Sequence, residues 1–210
     1  MRKKELMACA VALALSACGG TSAPADAGTT GDAGTAPATA PPVADTHAMQ
    51  DKDGNPVPLV DFDITGLPVS TATLGELPFF SMPAGYAPRN RPHVRSFARF
   101  PFRLGDGLHW VEGASWNAKI GIDSEHRRDK EFSERELRRN FESVLAQAGA
   151  QQVFDGPLLR NAYYGTLEDE IGGGFIDGVN MDQDARTTVH VIRQADRNVW
   201  VQLSTSGYEA

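Results

Sequence analysis

The alternation of apolar and polar residues in the middle of the chain predicts a long β-hairpin. Between residues 98 and 104 the apolar side chains fall on every second position, with Arg99 and Arg103 between them. A period of two is typical of a strand with one buried face. Residues 105–107 read Gly-Asp-Gly, and glycine tolerates the positive φ angles that short hairpin turns require. The return strand is expected over residues 108–122.

A helical period follows the hairpin and predicts one amphipathic helix over residues 133–148. Its apolar side chains share one face of the helix; they are Leu137, Phe141, Val144, Leu145 and Ala148. Ser133 and Glu136 have the spacing of a capping box, in which each satisfies a backbone N–H group of the first turn. Gly149 suits the position directly after the last turn.

A second hairpin is predicted near the end of the sequence. Residues 187–192 and 198–204 alternate well, and residues 195–197 are polar enough to form the turn between them. Trp200 is expected to pair across this hairpin with a side chain near His190 or Ile192. A short strand is expected over residues 151–154, directly after the helix.

The remaining segments predict irregular structure. Residues 59–64 form a short apolar stretch that suits an edge strand or the start of the packed region. Residues 74–86 contain two prolines, which prevent a regular helix, so their aromatic side chains are expected to pin an irregular segment to the domain. Residues 158–184 are interrupted by glycines, and we expect an insert there with a short helix around residues 163–171.

The order of these elements predicts an α+β fold. An antiparallel β-sheet of hairpins is expected to pack against one main amphipathic helix, residues 133–148, because each of these elements has a single apolar face to bury. The folded part is expected to be a single domain over residues 59–210, since a region of this length holds one hydrophobic core.

The first residues of the chain have the composition of an export signal. A basic start precedes an apolar run over residues 6–15, which has the length of a signal-peptide core and is too short to span a bilayer. Leu15, Ser16, Ala17 and Cys18 resemble the lipobox of bacterial lipoproteins. This resemblance implies that residues 1–17 are a lipoprotein signal peptide.

The same resemblance implies cleavage before Cys18 and acylation of that cysteine with chains such as palmitate. Two or three chains hold a protein on a membrane, since each buried CH₂ group contributes about 0.8 kcal/mol. Gly19 follows the cysteine, and by resemblance to enterobacterial lipoprotein sorting the absence of Asp at this position favours the outer membrane. The inner membrane is the alternative.

Residues 18–58 predict a lipidated, disordered tether. Residues 19–45 are mostly Ala, Thr, Gly, Pro, Ser and Asp, and such a segment buries too little apolar surface to offset the entropy of ordering. Residues 51–55 read Asp-Lys-Asp-Gly-Asn and resemble the front of a calcium loop. However, Phe62 stands where the bidentate Glu of that loop belongs, so we expect a polar turn.

Charge and cysteine content exclude several classes of function. The chain has 20 Lys and Arg against 27 Asp and Glu, a formal net charge of −7, so neither nucleic acid nor an anionic lipid surface is an expected partner of the domain. The two cysteines are Cys9 in the signal and Cys18 at the acylation site. Since no free thiol is then left, thiol oxidoreductases, thiolate-ligated metal proteins and cysteine hydrolases are excluded.

Five segments resemble the N-terminal region of OmpA-family outer-membrane lipoproteins. They are LGELPFFSMPAGY at residues 74–86, FPF at 100–102, WVEG at 110–113, ELRRNFE at 136–142 and ADRNVWVQ at 195–202. In that family a C-terminal OmpA-like peptidoglycan-binding domain usually follows, whereas this sequence ends at Ala210. The resemblance therefore implies a location and a fold. It carries over no peptidoglycan-binding, catalytic or ligand residue. It is also compatible with a truncated or gene-split member of the family.

Candidate chemistry is sparse. The densest group of potential oxygen ligands lies in the glycine-rich insert and consists of Glu168, Asp169, Glu170, Asp177, Asp182 and Asp184. Its spacing matches no calcium motif, so an acidic solvated loop is expected. The five histidines, His47, His93, His109, His126 and His190, lack the spacing of metal ligands. Nucleophile-elbow, phosphate-loop and dinucleotide motifs are also missing from the sequence, so we expect no catalytic residue, metal or cofactor.

Three functions follow, in order of preference. The first is a non-catalytic outer-membrane lipoprotein whose periplasmic domain is a structural or protein-interaction module, with the membrane and envelope proteins as partners. The second is a ligand-binding module that uses a pocket beside residues 158–184, lined by Tyr163, Tyr164 and Phe175. The third is a cell-wall hydrolase, which needs two carboxylates at a set separation.

Overall fold

The computed structural model describes residues 49–164, 179–180, 182 and 184–207. Within these ranges the fold is α+β, with antiparallel sheets and one main helix. The predicted signal peptide, Cys18 and most of the predicted tether lie outside the described residues. Met49 and Val57 are buried, so packed structure begins before residue 59, the predicted boundary. The physical reason is a small loop that Val57 closes by donating its backbone N–H to Met49 O at 2.7 Å.

The described strands and helices have the following bounds. The strands are β1 (Tyr86–Pro88), β2 (His93–Leu104), β3 (Gly107–Asn117), β4 (Ile120–Ile122), β5 (Gln151–Pro157), β6 (Arg186–Arg193) and β7 (Asn198–Thr205). The helices are α1 (Glu134–Gln147) and the single-turn α2 (Arg160–Tyr163), and short 3-10 turns span Ile64–Gly66 and Ser124–His126. Strand β1 pairs with β4, β2 pairs with β3, and the third sheet has the order β5-β6-β7.

The first predicted hairpin is confirmed, but its return strand is shorter than expected. Strands β2 and β3 are antiparallel around a turn at Gly105, whose φ is +46°. Strand β3 ends at Asn117, and residues 120–122 pair with β1 in a separate sheet. The break occurs where Lys119 donates its backbone N–H to Asn90 Oδ1 at 2.8 Å. Apolar alternation continues across this break, so the sequence pattern did not reveal it.

The second predicted hairpin is also confirmed, as β6 and β7. Trp200 lies opposite Val191, between the two partners that the sequence suggested. Strand β5 extends beyond the predicted residues 151–154 and ends at Pro157. Asp155 accepts a hydrogen bond of 2.5 Å from Arg186 Nε of the neighbouring strand, and this cross-strand ion pair holds the end of β5 in the sheet.

The main helix starts at the predicted cap. Ser133 Oγ accepts from the backbone N–H of Glu136 at 3.3 Å, which satisfies one free donor of the first turn. The other half of the expected capping box is replaced by Tyr86, whose hydroxyl accepts from Ser133 N at 3.2 Å and lies 3.1 Å from Glu136 Oε2. The helix ends before Gly149, where φ is +75°, as expected for this position.

One edge of the β2–β3 hairpin is closed by side chains. Pro101 of β2 has no N–H group, and its carbonyl oxygen accepts from the hydroxyl of Tyr163 at 2.7 Å. Two residues further on, the backbone N–H of Arg103 donates to Gln202 Oε1 at 3.0 Å. Both contacts are buried. They satisfy two backbone groups of an edge strand, which burial would otherwise leave without a hydrogen-bond partner.

The described residues share one hydrophobic cluster. It contains the apolar face of α1 together with residues of β2, β3, β6 and β7. Its largest fully buried side chains include Phe102, Phe141, Leu108, Ile120, Leu137 and Leu145. Full burial of side chains of this kind stabilises a fold by about 1.5–3 kcal/mol each, so the cluster is a main source of stability for the described residues, which include no cysteine.

Candidate functional site

Fewer than half of the residues of the predicted insert, 158–184, lie in the described ranges. Its described part begins with a single helical turn, Arg160–Tyr163, and most of the helix expected over residues 163–171 lies outside the described residues. Tyr163 is 3 % exposed and belongs to the core, so it does not line a pocket as the sequence suggested. The ring of Tyr164 lies 5.7 Å from the guanidinium of Arg160. Phe175 lies outside the described residues.

The acidic cluster of the insert is likewise mostly outside the described residues, which include only Asp182 and Asp184 of its six members. No group of three or more His, Cys, Asp or Glu side chains in the described ranges is arranged to hold a metal ion. In the loop at residues 51–55, Asp51 Oδ1 accepts from the backbone N–H groups of Asp53 and Asn55, each at 2.9 Å. The expected polar turn is therefore confirmed.

The described histidines are separated in the fold. His109 lies in β3 and His190 in β6, as the sequence predicted, whereas His93 starts β2 and His126 belongs to a 3-10 turn; His47 lies outside the described residues. Burial lowers the pKa of His190 below its usual value. Its Nε2 is buried without a hydrogen-bond partner among the described residues.

Four carboxyl groups in the described residues have shifted pKa values, and all four shifts are downward. Hydrogen bonds from Asn55 lower the pKa of Asp51, and those from Thr65 lower the pKa of Asp63. Lys130 lowers the pKa of Glu136, and Arg186 lowers that of Asp155. A glycosidase needs one carboxylic acid with a raised pKa. None of these four groups meets that requirement.

The site that sequence reasoning missed is a groove of about 430 Å³ beside β3. It is bounded on one side by residues 109–112 of β3 and on the other by Phe62, Ile64 and the first half of β7. The residues on one side are at least 45 positions in sequence from those on the other side, so no local motif joins them. The one local signal is Trp110, a large aromatic residue of β3 that remains only partly buried.

Aromatic rings form one wall of this groove. The rings of Phe62 and Trp200 meet edge to face with centroids 5.4 Å apart, and His109 stacks on Trp200 at 5.1 Å. His109 Nδ1 lies 2.8 Å from the backbone oxygen of Val60. Since a carbonyl only accepts, Nδ1 carries the proton in this contact. The bond orients the imidazole and keeps it against the tryptophan.

The opposite wall combines an aromatic ring with a charge pair. The guanidinium of Arg99 lies 4.2 Å from the ring centroid of Trp110, and its Nε is 3.9 Å from Glu112 Oε1. Both charged side chains are substantially exposed, at 41 % and 58 %, so the pair contributes little to stability. Trp110 is fixed by its indole N–H, which donates to Met49 Sδ at 3.1 Å. This wall thus offers a flat ring, a cation and a carboxylate to a molecule in the groove.

A second groove, of about 370 Å³, lies at the start of the predicted insert. Leu158, Leu159 and Ala162 line one side of it, and Asp51 and Val57 line the other. It has no aromatic wall, in contrast to the groove beside β3. The two grooves are therefore suited to different occupants.

Comparison with protein-family models, with curated proteins and with solved structures gives no match for this chain. In the part of the chain that the structure describes, no helix has the length and apolar character needed to cross a membrane.

Proposed function

We propose that this chain is a non-catalytic lipoprotein of the bacterial outer membrane. Acyl chains on Cys18 would anchor it, residues 19–48 would separate the anchor from the folded part, and the α+β part would act in the periplasm as a single protein-interaction domain. The lipobox-like residues before Cys18 and the five OmpA-like segments support this location. The resemblance to OmpA-family lipoproteins is part of the proposal and adds no activity to it.

The observation that carries the interaction role is the groove beside β3. Tryptophan and arginine are the residues most enriched at energetic centres of protein interfaces, and Trp110, Trp200 and Arg99 meet in this groove.

Two measurements test this proposal. Mass spectrometry of the mature protein should find Cys18 acylated at the new N-terminus, and a Cys18→Ala variant should leave the outer-membrane fraction. A bare sulfur or an uncleaved leader would overturn the location. Cross-linking in intact cells, followed by mass spectrometry, should then identify envelope proteins bound to the anchored form.

The interaction role is tested with a matched pair of variants. Trp110→Ala removes an aromatic wall of the groove, whereas Phe97→Ala removes a side chain that is 68 % exposed and does not line it. We expect Trp110→Ala to abolish the cross-links and Phe97→Ala to retain them. Cross-links that survive Trp110→Ala would show that the groove is not the interaction site.

A ligand-binding module is the second candidate, because the groove at Leu158 and Ala162 lies beside the insert. A small molecule bound there would protect the backbone amides of Val57 and of residues 158–162 from hydrogen exchange. Cell extract fractions that protect these amides but leave residues 109–112 unchanged would favour this candidate.

A further inference from the structure

The outer edge of β3 carries backbone groups that face away from β2. The N–H of Leu108 donates to Pro58 O at 2.9 Å, and the carbonyl of Leu108 accepts from Val60 N at 2.8 Å. These bonds form a short parallel bridge between Leu59 and Leu108. In an antiparallel pair, backbone groups alternate between the partner strand and the opposite side. The N–H and C=O groups of Trp110 and Glu112 therefore face the same side as those of Leu108.

The parallel bridge does not continue, because a side chain occupies the next backbone acceptor. A continued parallel ladder would direct the N–H of Trp110 to the carbonyl of Val60. His109 Nδ1 donates to that carbonyl instead, at 2.8 Å, and the chain leaves the strand toward Phe62. Among the described residues, no hydrogen bond reaches the outward backbone groups of Trp110 and Glu112.

The two outer edges of this hairpin, one on β2 and one on β3, therefore differ in how their backbone groups are satisfied. On β2, a proline and the side chains of Tyr163 and Gln202 close the edge, which is a way to prevent unwanted strand pairing. On β3, the open backbone groups border the groove between Trp110 and Phe62. An open edge with unpaired donors and acceptors is a template for one more strand.

We propose that residues 110–112 of β3 form a β-augmentation site, which takes an extended segment of a partner protein as an added strand. The proposal rests on the proposed interaction function and specifies its binding mode. An added strand would lie about 4.8 Å from β3, inside the groove. Its side chains would alternate between the wall of Phe62 and Trp200 and the wall of Arg99 and Glu112.

This alternation defines the chemistry of the partner segment. Apolar side chains at every second position match the aromatic wall, and polar or charged side chains between them match the exposed charge pair. Backbone hydrogen bonds supply affinity, and the alternate side chains supply specificity. A rigid small molecule would leave the backbone donors and acceptors of the edge unused, so an extended peptide is the occupant that fits.

Selection from a phage-displayed library of random heptapeptides tests the site, with the full mature chain held in detergent micelles. We expect enriched peptides with alternating apolar and polar residues, and we expect a bound synthetic peptide to slow hydrogen exchange at the amides of Trp110 and Glu112. N-methylation of peptide residues that face the edge should weaken binding by about tenfold, the loss of one backbone hydrogen bond. N-methylation of the residues between them should change affinity less than about threefold.

Variants of the protein give a matched control. Glu112→Pro removes the carboxylate and an outward N–H group, and an edge strand tolerates proline where its N–H faces away from the ladder. It should weaken the peptide by about tenfold, whereas Glu112→Ala, which keeps the N–H, should have a much smaller effect. The N-methyl series does not depend on the folding of either variant.

Several results would overturn the proposal. These are a selection without binders, protection confined to other amides, or affinity that is insensitive to the position of N-methylation. Dimerisation without peptide that protects Trp110 would assign the edge to a second copy of the chain. Peptide binding without envelope cross-links would refute the proposed function and leave the edge site intact, while Trp110-dependent cross-links without peptide binding would do the reverse.

Discussion

The hydroxyl of Tyr163 provides the sharpest test of how β2 is held in the core. It donates to Pro101 O at 2.7 Å and accepts a longer bond from Gln202 Nε2 at 3.4 Å. Burial raises the pKa of Tyr163, so the phenol stays neutral and keeps its proton for the carbonyl. Tyr163→Phe removes this donor and leaves a buried carbonyl oxygen without a partner.

An unsatisfied buried acceptor costs about 1–3 kcal/mol. For a chain of this size, each kcal/mol lowers the melting temperature by about 2–4 °C. Urea denaturation followed by tryptophan fluorescence should therefore show a lower midpoint for Tyr163→Phe. The denaturant dependence should be unchanged, because the surface exposed on unfolding is the same.

Tyr164→Phe is the matched control, since Tyr164 has the same hydroxyl on the next residue but is only half-buried. Its effect should stay within about 0.5 kcal/mol. Equal losses in the two variants would refute the reasoning. Gln202→Leu, which takes the acceptor from Arg103 N–H, should combine with Tyr163→Phe non-additively, because both side chains belong to one network.

Three further predictions concern stability. Burial lowers the pKa of His190, so below pH about 6.5 the unfolded chain binds a proton that the folded chain does not. The free energy of unfolding should therefore fall as the pH drops through this range, by at most about 1.4 kcal/mol per pH unit. Urea titrations should show a flatter pH dependence for His190→Leu. Ser133→Ala should cost about 1 kcal/mol of unfolding free energy by chemical denaturation, and a loss below a few tenths would argue against the observed cap. Gly149→Ala should lower the free energy of unfolding by about 1–2 kcal/mol, because φ is +75° at this position and because the new Cβ would lie 2.7 Å from Ser70 Oγ. An unchanged melting temperature would contradict this geometry.

Local sequence patterns predicted most of the regular elements. The period of two at Phe100, Phe102 and Leu104 identified β2, and the cap residue Ser133 located the start of α1. These signals succeed because the pleat of a strand and the turn of a helix each impose a short repeat on which side chains face the core. The end of β3 was missed, since apolar residues continue past Asn117 into a strand of a different sheet.

The candidate site was beyond the reach of the same patterns. Phe62, Trp110 and Trp200 are distant in the sequence and become neighbours only when three separate segments pack together. Tyr163 shows the opposite failure, because an aromatic residue beside a glycine-rich stretch suggested a pocket wall, while the fold uses its hydroxyl to cap a core carbonyl.

The sequence by itself determined the classes of element, their order and the α+β character, since these depend on which residues of a short repeat must leave water. It also carried the lipobox resemblance on which the proposed location depends. The tertiary structure alone decided which edge of the first hairpin is closed and which is open. That outcome depends on whether His109, Tyr163 and Gln202 reach backbone groups far from them in the chain, and such long-range hydrogen bonds leave no periodic trace in a sequence.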